Sequence, residues 1–83
     1  MPPLPIIGET KHKILLALRK ERLHGYRLAK VVDIPVTGIY QHLRELEKEG
    51  LVSFQRDGSR KVYLLTSKGD KLLDVLEMNG SQN

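Results

Sequence analysis

Residues 35–50, PVTGIYQHLRELEKEG, decide the fold of this chain of 83 residues. Read at the pitch of an α-helix, the apolar side chains of this stretch fall on one face. They are Val36, Ile39, Leu43 and Leu46. Gly50 then supplies the residue type that most often ends a helix in the left-handed conformation. The stretch therefore predicts an amphipathic helix over residues 36–49, whose apolar face packs into the core of a small domain.

The opposite face of the same predicted helix carries hydroxyl, amide and cationic side chains. They are Thr37, Gln41, Arg44 and Lys48, with Tyr40 at the edge of the face. Groups that hydrogen-bond base edges, together with cations for phosphates, are what a helix needs in the major groove of DNA. The alternative interpretation is the solvated outer face of an ordinary amphipathic helix.

Several positions on this helix have two interpretations. Arg44 suits guanine and Gln41 suits adenine, but Arg44 can also pair with Glu47, which contributes only roughly a few tenths of a kcal/mol. Tyr40 is either a DNA contact or packing against the preceding helix. Gly38 lies one turn into the helix, where glycine costs about 1 kcal/mol relative to alanine. It either lets the backbone approach DNA or the preceding helix closely, or it is simply tolerated.

The charge of the chain favours a polyanionic partner. There are 14 Lys and Arg against 10 Asp and Glu, a net charge of +4. The excess lies in residues 1–35, which sum to +4, and in residues 56–61, which sum to +2. Such a basic balance is typical of proteins that bind nucleic acid. A chain of 83 residues predicts one domain with a modest core, so oligomerisation is an expected source of further stability.

Several classes of site and protein are disfavoured. The chain has no cysteine, and His12, His24 and His42 fit no compact ligand spacing, so we expect neither a metal nor a cofactor. The acids stand beside bases on helix flanks, and there is no glycine-rich phosphate loop, so the protein is not expected to be an enzyme. Without a membrane span of roughly 18 apolar residues or a signal peptide, the expected location is the cytoplasm, on the nucleoid in a prokaryote.

The remaining sequence predicts more helices, a hairpin and an N-terminal arm. The predicted elements are an arm at residues 1–9, helices at 11–22, 26–32 and 36–49, strands at 51–56 and 61–65, a helix at 67–78 and a frayed tail at 79–83. Residues 23–25 are expected to be a break. Thr10 and Thr66 are the expected N-caps of the first and last helices. Residues 10–78 thus form one domain.

The turn between the two predicted strands is basic. Its functional side chains are Arg56, Ser59, Arg60 and Lys61. Two helices joined by a tight turn form the helix-turn-helix unit, whose second helix enters the major groove. A cationic hairpin beside it can reach phosphates or the adjacent minor groove; the alternative is a solubilising turn. The helix at 26–32 completes the predicted DNA-binding set with Tyr26, Arg27 and Lys30.

Three segments carry a family resemblance: HGYRLAKVV at 24–32, IPVTGIYQHLRELEKEGLV at 34–52 and RKVYLLTSKG at 60–69. Together they resemble the winged-helix core of PadR-like transcriptional regulators, and more loosely MarR and ArsR repressors. The resemblance implies an α+β, mostly α fold with a three-helix core, a two-stranded wing and a C-terminal helix. It also implies a dimer that reads a pseudo-palindromic operator with helix 36–49, while wing 56–61 touches flanking DNA.

Two features depart from that family pattern. Its members usually carry a longer C-terminal helical region for dimerisation, whereas this sequence has only the helix at 67–78. They also tend to place a hydroxyl at the N-cap of the reading helix, where this chain has Pro35. Asp33, water or a DNA phosphate would then accept hydrogen bonds from the free backbone N–H groups at the start of the helix. The predicted dimer interface is the apolar side of the last helix with the arm: Leu72, Leu73, Val75, Leu76, Leu4, Ile6 and Ile7.

The residues and the resemblance together lead to one expected function. We expect a homodimeric, sequence-specific regulator of transcription that binds double-stranded DNA and acts as a repressor; whether it has a small-molecule effector stays open. Two alternatives remain. One is an architectural protein that coats DNA without sequence preference, and the other is a winged helix used for contacts with proteins.

Overall fold

The computed structural model describes residues 8–81, with side chains as far as residue 78. Within that range four helices and three strands follow one another. They are α1 (Glu9–Lys20), β1 (Leu23–His24), α2 (Gly25–Val32), α3 (Val36–Lys48), β2 (Val52–Asp57), β3 (Arg60–Leu65) and α4 (Ser67–Ser81). The predicted fold class, a mostly helical α+β winged helix, is confirmed.

One apolar core joins the helices to the sheet. The helical spacing of α3 places Ile39, Leu43 and Leu46 at 0% exposure, and burying each contributes about 1.5–3 kcal/mol. The other helices add the buried side chains Ile14, Leu15, Leu18, Leu28, Ala29, Val32 and Leu73. Val36 is 37% exposed, so its predicted place in the buried stripe is wrong. As the first residue of α3, it lies at the edge of the core.

The wing is part of a three-stranded antiparallel sheet in the order β1-β3-β2. In the β2–β3 hairpin, Asp57 pairs with Arg60 across the turn and Val52 pairs with Leu65 at the base. The strand β1 occupies the segment that the sequence predicts to be a break, with Leu23 opposite Tyr63. That prediction is wrong because a strand of two residues is too short to show an alternating pattern.

The helix ends follow the predictions in part. Gly50 adopts the expected left-handed conformation, with φ 75°. Thr10 is not an N-cap, because α1 begins at Glu9 and its N-cap is Gly8. At the start of α3 no side chain caps the helix; the N–H groups of Gly38 and Ile39 donate to the carbonyl of Pro35 at 2.9 and 3.1 Å. α4 extends three residues beyond its predicted end at 78.

Thr66 links the C-terminal end of α3 to the beginning of α4. Its hydroxyl donates to the carbonyl of Gly50 at 2.6 Å and accepts from the N–H of Gly69 at 3.1 Å, which confirms Thr66 as the N-cap of α4. Its backbone N–H also donates to the carbonyl of Leu51 at 3.1 Å. One residue therefore ties the end of the helix, the start of the wing and the last helix together.

Two neighbours of Thr66 complete this junction, which we call the exit clamp (Thr66, Lys68 and Gly69 against residues 49–51). The ammonium of Lys68 donates to the carbonyl of Glu49 at 2.8 Å, at the negative end of the α3 dipole. The backbone of Gly69 lies against the carbonyl of Leu51 so closely that a Cβ would overlap it. The exit clamp thus requires a residue without a side chain at position 69.

Ion pairs attach α1 to α3 and α4. The guanidinium of Arg19 donates to Oδ1 of Asp70 at 2.9 Å, to the backbone carbonyl of Asp70 at 3.0 Å and to Oδ1 of Asp74 at 2.7 Å. Lys11 pairs with Glu45 of α3 at 2.5 Å. These contacts lie at the surface, where a single pair contributes about 0–1 kcal/mol. Their role is to orient the helices, while the core provides most of the stability.

We expect Gly69→Ala to destabilise the fold by about 1–3 kcal/mol, because the new methyl group must displace the carbonyl of Leu51. Gly38→Ala is the matched control, since a Cβ there meets only Ile34 Cγ2 at 3.8 Å. The control should raise stability by about 1 kcal/mol, the helix propensity difference between the residues. Urea unfolding of the three proteins measures both effects. Equal unfolding midpoints would contradict the described packing of the exit clamp.

Candidate nucleic-acid interface

The outer face of α3 is available to a ligand. Its exposed polar side chains are Thr37, Tyr40, Gln41, Arg44 and Lys48. Because Ile39, Leu43 and Leu46 on the opposite side of α3 are fully buried, the helix presents these polar groups outward, away from the core. The face that the sequence predicts to contact DNA is therefore a rigid, solvent-facing row.

Arg44 does not form the ion pair with Glu47 that the sequence leaves open. Among the described residues, no ion pair or hydrogen bond holds its guanidinium. The acid that is paired on this helix is Glu45, whose pKa is lowered mainly by its hydrogen bond to Lys11, with a smaller contribution from the amide of Gln41. The cation at position 44 thus keeps its hydrogen-bonding capacity for an external partner.

Tyr40 combines the two roles that the sequence leaves as alternatives. Its ring lies over Gly25 at the start of α2, where a Cβ would approach Tyr40 Cε1 to 2.5 Å and the hydroxyl to 2.7 Å. The side chain nevertheless remains 41% exposed. Packing against α2 therefore fixes the ring in one place while the residue stays accessible.

Gly38 is not required for contact between α3 and α2. A Cβ at this position would meet only Ile34 Cγ2, at the ordinary distance of 3.8 Å. Close approach to the preceding helix is therefore excluded as its role, while close approach to DNA and simple tolerance both stay open.

The wing presents two exposed arginines and one partly shielded lysine. Gly58, with φ 66°, and Ser59 form the turn at its tip. Arg56 and Arg60 are exposed on either side of this turn. The ammonium of Lys61 lies 4.2 Å from the centre of the Phe54 ring, a cation–π contact that holds the charge close to the sheet.

The predicted contact residues of α2 lie on its outer side. Tyr26 is 57% exposed, and the ammonium of Lys30 lies 5.0 Å from the centre of its ring. Arg27 is also exposed. These side chains lie on the helix that precedes α3, so they extend the basic surface beyond the polar face of α3.

A recess of about 510 Å³ lies where α2, α3 and the wing meet. We call it the wing recess. It is lined by His24, Gly25, Tyr26, Tyr40, Arg56, Ser59, Arg60 and Lys61. Six of these residues belong to the predicted DNA-binding set, and the lining contains three cations and no acid. The fold therefore brings the predicted residues of three separate segments into one basic concavity.

His24 and Gly25 are the two lining residues that the sequence-based prediction did not include. The imidazole Nε2 of His24 lies 3.4 Å from Oδ2 of Asp57, at the closing pair of the wing. Gly25 provides the space that the ring of Tyr40 occupies. The glycine before Tyr26 could have indicated that another side chain packs closely against the start of α2. That side chain belongs to Tyr40, 15 residues further along the chain, and no spacing rule connects the two positions.

The apolar residues predicted for a dimer interface do not all lie on one surface. Leu73 is fully buried in the core of its own chain, so it does not face a partner. Leu72 and Leu76 are half-buried, and Val75 is 43% exposed. Met78, which was not predicted, is 62% exposed on the same helix. Leu4, Ile6 and Ile7 lie outside the described residues.

The described part of the chain shows neither a metal-binding cluster nor a membrane-spanning helix. No cluster of three or more His, Cys, Asp or Glu could hold a metal ion in this part of the chain. None of the described helices is both long and apolar enough to cross a membrane.

Comparison with protein families identifies the group to which the sequence belongs. Residues 14–75 match the family described as the transcriptional regulator PadR-like family. The chain belongs to the PadR-like family. The match covers α2, α3 and the whole wing, the same segments that carry the resemblance in the sequence. The family is one of transcription regulators.

Known relatives and structures agree with this assignment. A Halobacterium salinarum protein named for an arsenical resistance operon repressor, ArsR, is 33% identical over 79 residues, or 93% of this chain and 60% of its own length. The Staphylococcus aureus MepR–DNA complex superposes with a TM-score of 0.82 at 22% identity, covering 90% of this chain and 65% of the other. ZitR, a zinc-responsive MarR family member from Lactococcus lactis, superposes with a TM-score of 0.78 at 18% sequence identity. The match covers 99% of this chain and 61% of ZitR.

These likenesses differ in what they establish. At 18–22% identity, the two structures share the winged-helix fold with this chain. The chain spans about three fifths of the length of the proteins that it matches. The looser resemblance is thus confirmed for MarR proteins at the level of fold and for an ArsR-named protein at the level of sequence.

Tyr63 belongs to the part of the wing that is buried in the core, and it provides a pH-dependent test of that burial. Its side chain is only 3% exposed and packs 6.0 Å from Phe54, centre to centre. Burial raises the pKa of its phenol, with smaller contributions from Glu47 and Tyr40. The folded chain therefore keeps this proton at a pH where the unfolded chain releases it, so stability falls as the pH rises above about 10.

We expect the melting temperature of Tyr63→Phe to fall less between about pH 9 and pH 11 than that of the parent protein. The variant has no phenol at this position, so no buried proton with a raised pKa opposes folding at high pH. Tyr26→Phe is the control, since its ring is largely exposed, and it should show the parent's loss. Differential scanning calorimetry across this range measures the effect. The same loss in all three proteins would mean that Tyr63 is not buried as described.

Proposed function

We propose that this protein is a sequence-specific DNA-binding regulator of transcription that acts as a repressor. In this proposal α3 enters the major groove and the wing contacts flanking DNA. The observation that carries it is the outward row on α3, in which Arg44 has no ion-pair partner among residues 8–81. Such a protein works where the DNA is, so we infer a cytoplasmic location, on the nucleoid in a prokaryote.

The chemistry of the row supports reading of bases as well as binding of phosphates. The fork of Arg44 matches the two acceptors of guanine, and the amide of Gln41 matches adenine. Lys48 and the wing arginines supply positive charge that can neutralise DNA phosphates. Contacts with the phosphate backbone provide most of the affinity of DNA-binding proteins. The names of the H. salinarum relative and of the MepR–DNA complex agree with this use of the fold.

The same proposal includes a homodimer. A two-fold pair of reading helices binds two half-sites about one helical turn apart, which raises affinity and doubles the sequence that is read. The surface that supports a second copy is the outer side of α4, where Leu72 and Leu76 are half-buried and Met78 is 62% exposed. An isologous contact between two such helices would cover this apolar surface.

Selection of bound duplexes from a random pool tests the proposed function most broadly. We expect an enriched motif with two-fold symmetry, since each copy of the chain presents one α3. Binding that shows no enrichment over bulk genomic DNA would favour the architectural alternative. Absence of binding to any duplex at low salt would favour a winged helix used for protein contacts.

We expect Arg44→Ala to weaken binding to the selected duplex by about 1–3 kcal/mol and to reduce discrimination against mutated sites, because a bidentate base contact is lost. Lys20→Ala, an exposed cation at the end of α1, is the matched control and should change affinity little. Fluorescence anisotropy at constant salt measures both. If Arg44→Ala binds as well as the parent, α3 is not the reading helix.

We expect Met78→Asp to shift the protein from dimer to monomer at micromolar concentration, because an unpaired carboxylate would be buried against the partner. Met78→Leu keeps an apolar side chain of similar size and should remain a dimer. Sedimentation equilibrium distinguishes the states. An Asp variant that stays dimeric would exclude this part of α4 from the interface.

A further inference from the structure

The wing recess has the composition of a binding site for one anionic group. Three cations of the wing line it, Arg56, Arg60 and Lys61, and its lining contains no acid. Asp57, the acid of the hairpin, is not in the lining; it pairs across the hairpin with Arg60, and its carboxylate lies 3.4 Å from Nε2 of His24. The electrostatic potential in such a concavity is concentrated by the protein around it, so a small anion is attracted more strongly than at an open surface.

The cations reach the recess from two faces of the hairpin. Side chains alternate along a strand, so Arg56 and its cross-strand partner Lys61 share one face, while Arg60 lies on the other. Lys61 is held against Phe54 at 4.2 Å. Its ammonium is therefore already positioned, and less side-chain entropy is lost when an anion binds.

Tyr40 adds a hydroxyl donor at a fixed position. Its ring is held over Gly25, and the position of a Cβ on that glycine would be 2.7 Å from the hydroxyl oxygen. The hydroxyl thus lies directly beside the first turn of α2, in the lining of the recess. Gly25 is a positioning residue, because any side chain there would displace the ring.

We propose that the wing recess binds a single backbone phosphate of double-stranded DNA, with the Tyr40 hydroxyl as donor and Arg60 and Arg56 as the neutralising charges. This inference rests on the proposed function and adds a fixed anchor to it. Since Tyr40 and the reading residues belong to the same helix, a phosphate bound in the recess sets where Gln41 and Arg44 meet the bases. The recess, by this account, determines the register of α3 along the duplex.

The experiment scans the selected duplex with single methylphosphonates, each of which replaces one charged phosphate by a neutral group. For the parent protein, we expect one position in each half-site where the replacement weakens binding about tenfold or more, as loss of a charge-assisted hydrogen bond does. Tyr40→Phe should weaken binding to the unmodified duplex. The methylphosphonate at that one position should then weaken binding of Tyr40→Phe by a factor several-fold smaller than the factor by which it weakens binding of the parent protein.

Two further variants make the assignment specific. Gly25→Ala displaces the ring of Tyr40 and should lose the same coupling; if this variant does not fold, Tyr40→Phe carries the test alone. Lys48 lies on α3 but outside the recess. The loss of binding free energy caused by Lys48→Ala should therefore simply add to the loss caused by the same methylphosphonate.

The possible failures can be told apart. If the random pool yields no bound duplex, the proposed function is wrong and the recess assignment falls with it. If a duplex binds but no methylphosphonate position couples to Tyr40, only the phosphate site is wrong. Coupling at that position to Lys48 and not to Tyr40 would likewise overturn the assignment, by placing the phosphate on the open face of α3.

Discussion

The structure depends on how the C-terminal end of α3 is held. The hydroxyl of Thr66 bonds Gly50 and the N–H of Gly69, and Lys68 bonds the carbonyl of Glu49. This exit clamp joins α3, the base of the wing and the last helix within a few residues. The exit clamp therefore fixes the end of α3 relative to the base of the wing and to the start of α4.

The same rigidity gives the candidate interface its shape. Ile39, Leu43 and Leu46 hold α3 in the core, so its polar side faces outward. Tyr40 is fixed by Gly25, and Lys61 is fixed by Phe54. Side chains that are ordered before a ligand arrives lose less entropy when it binds. A short chain with a small core can thus present a defined surface to DNA, because each contact that orders the surface is also a packing contact.

Much of this arrangement could be predicted from the sequence. Strong periodicity identified α3 and its polar face, and a threonine before a helical segment identified the cap at Thr66. Short or spatial features were missed. The strand β1 has too few residues for a pattern, and the contact of Gly25 with Tyr40 joins residues that no spacing rule connects. Val36 and Leu73 were misplaced for a related reason, since periodicity identifies the apolar side of a helix but not how much of it the core covers.

We infer that α3 and the wing, rather than the basic side of α1, form the surface that meets DNA. Chemical-shift mapping of the ¹⁵N-labelled protein with the selected duplex distinguishes these two surfaces. We expect the largest amide shifts in residues 36–48 and 56–61, with small changes around Lys13 and Lys20 on α1. Large shifts along α1, with none in α3, would contradict it.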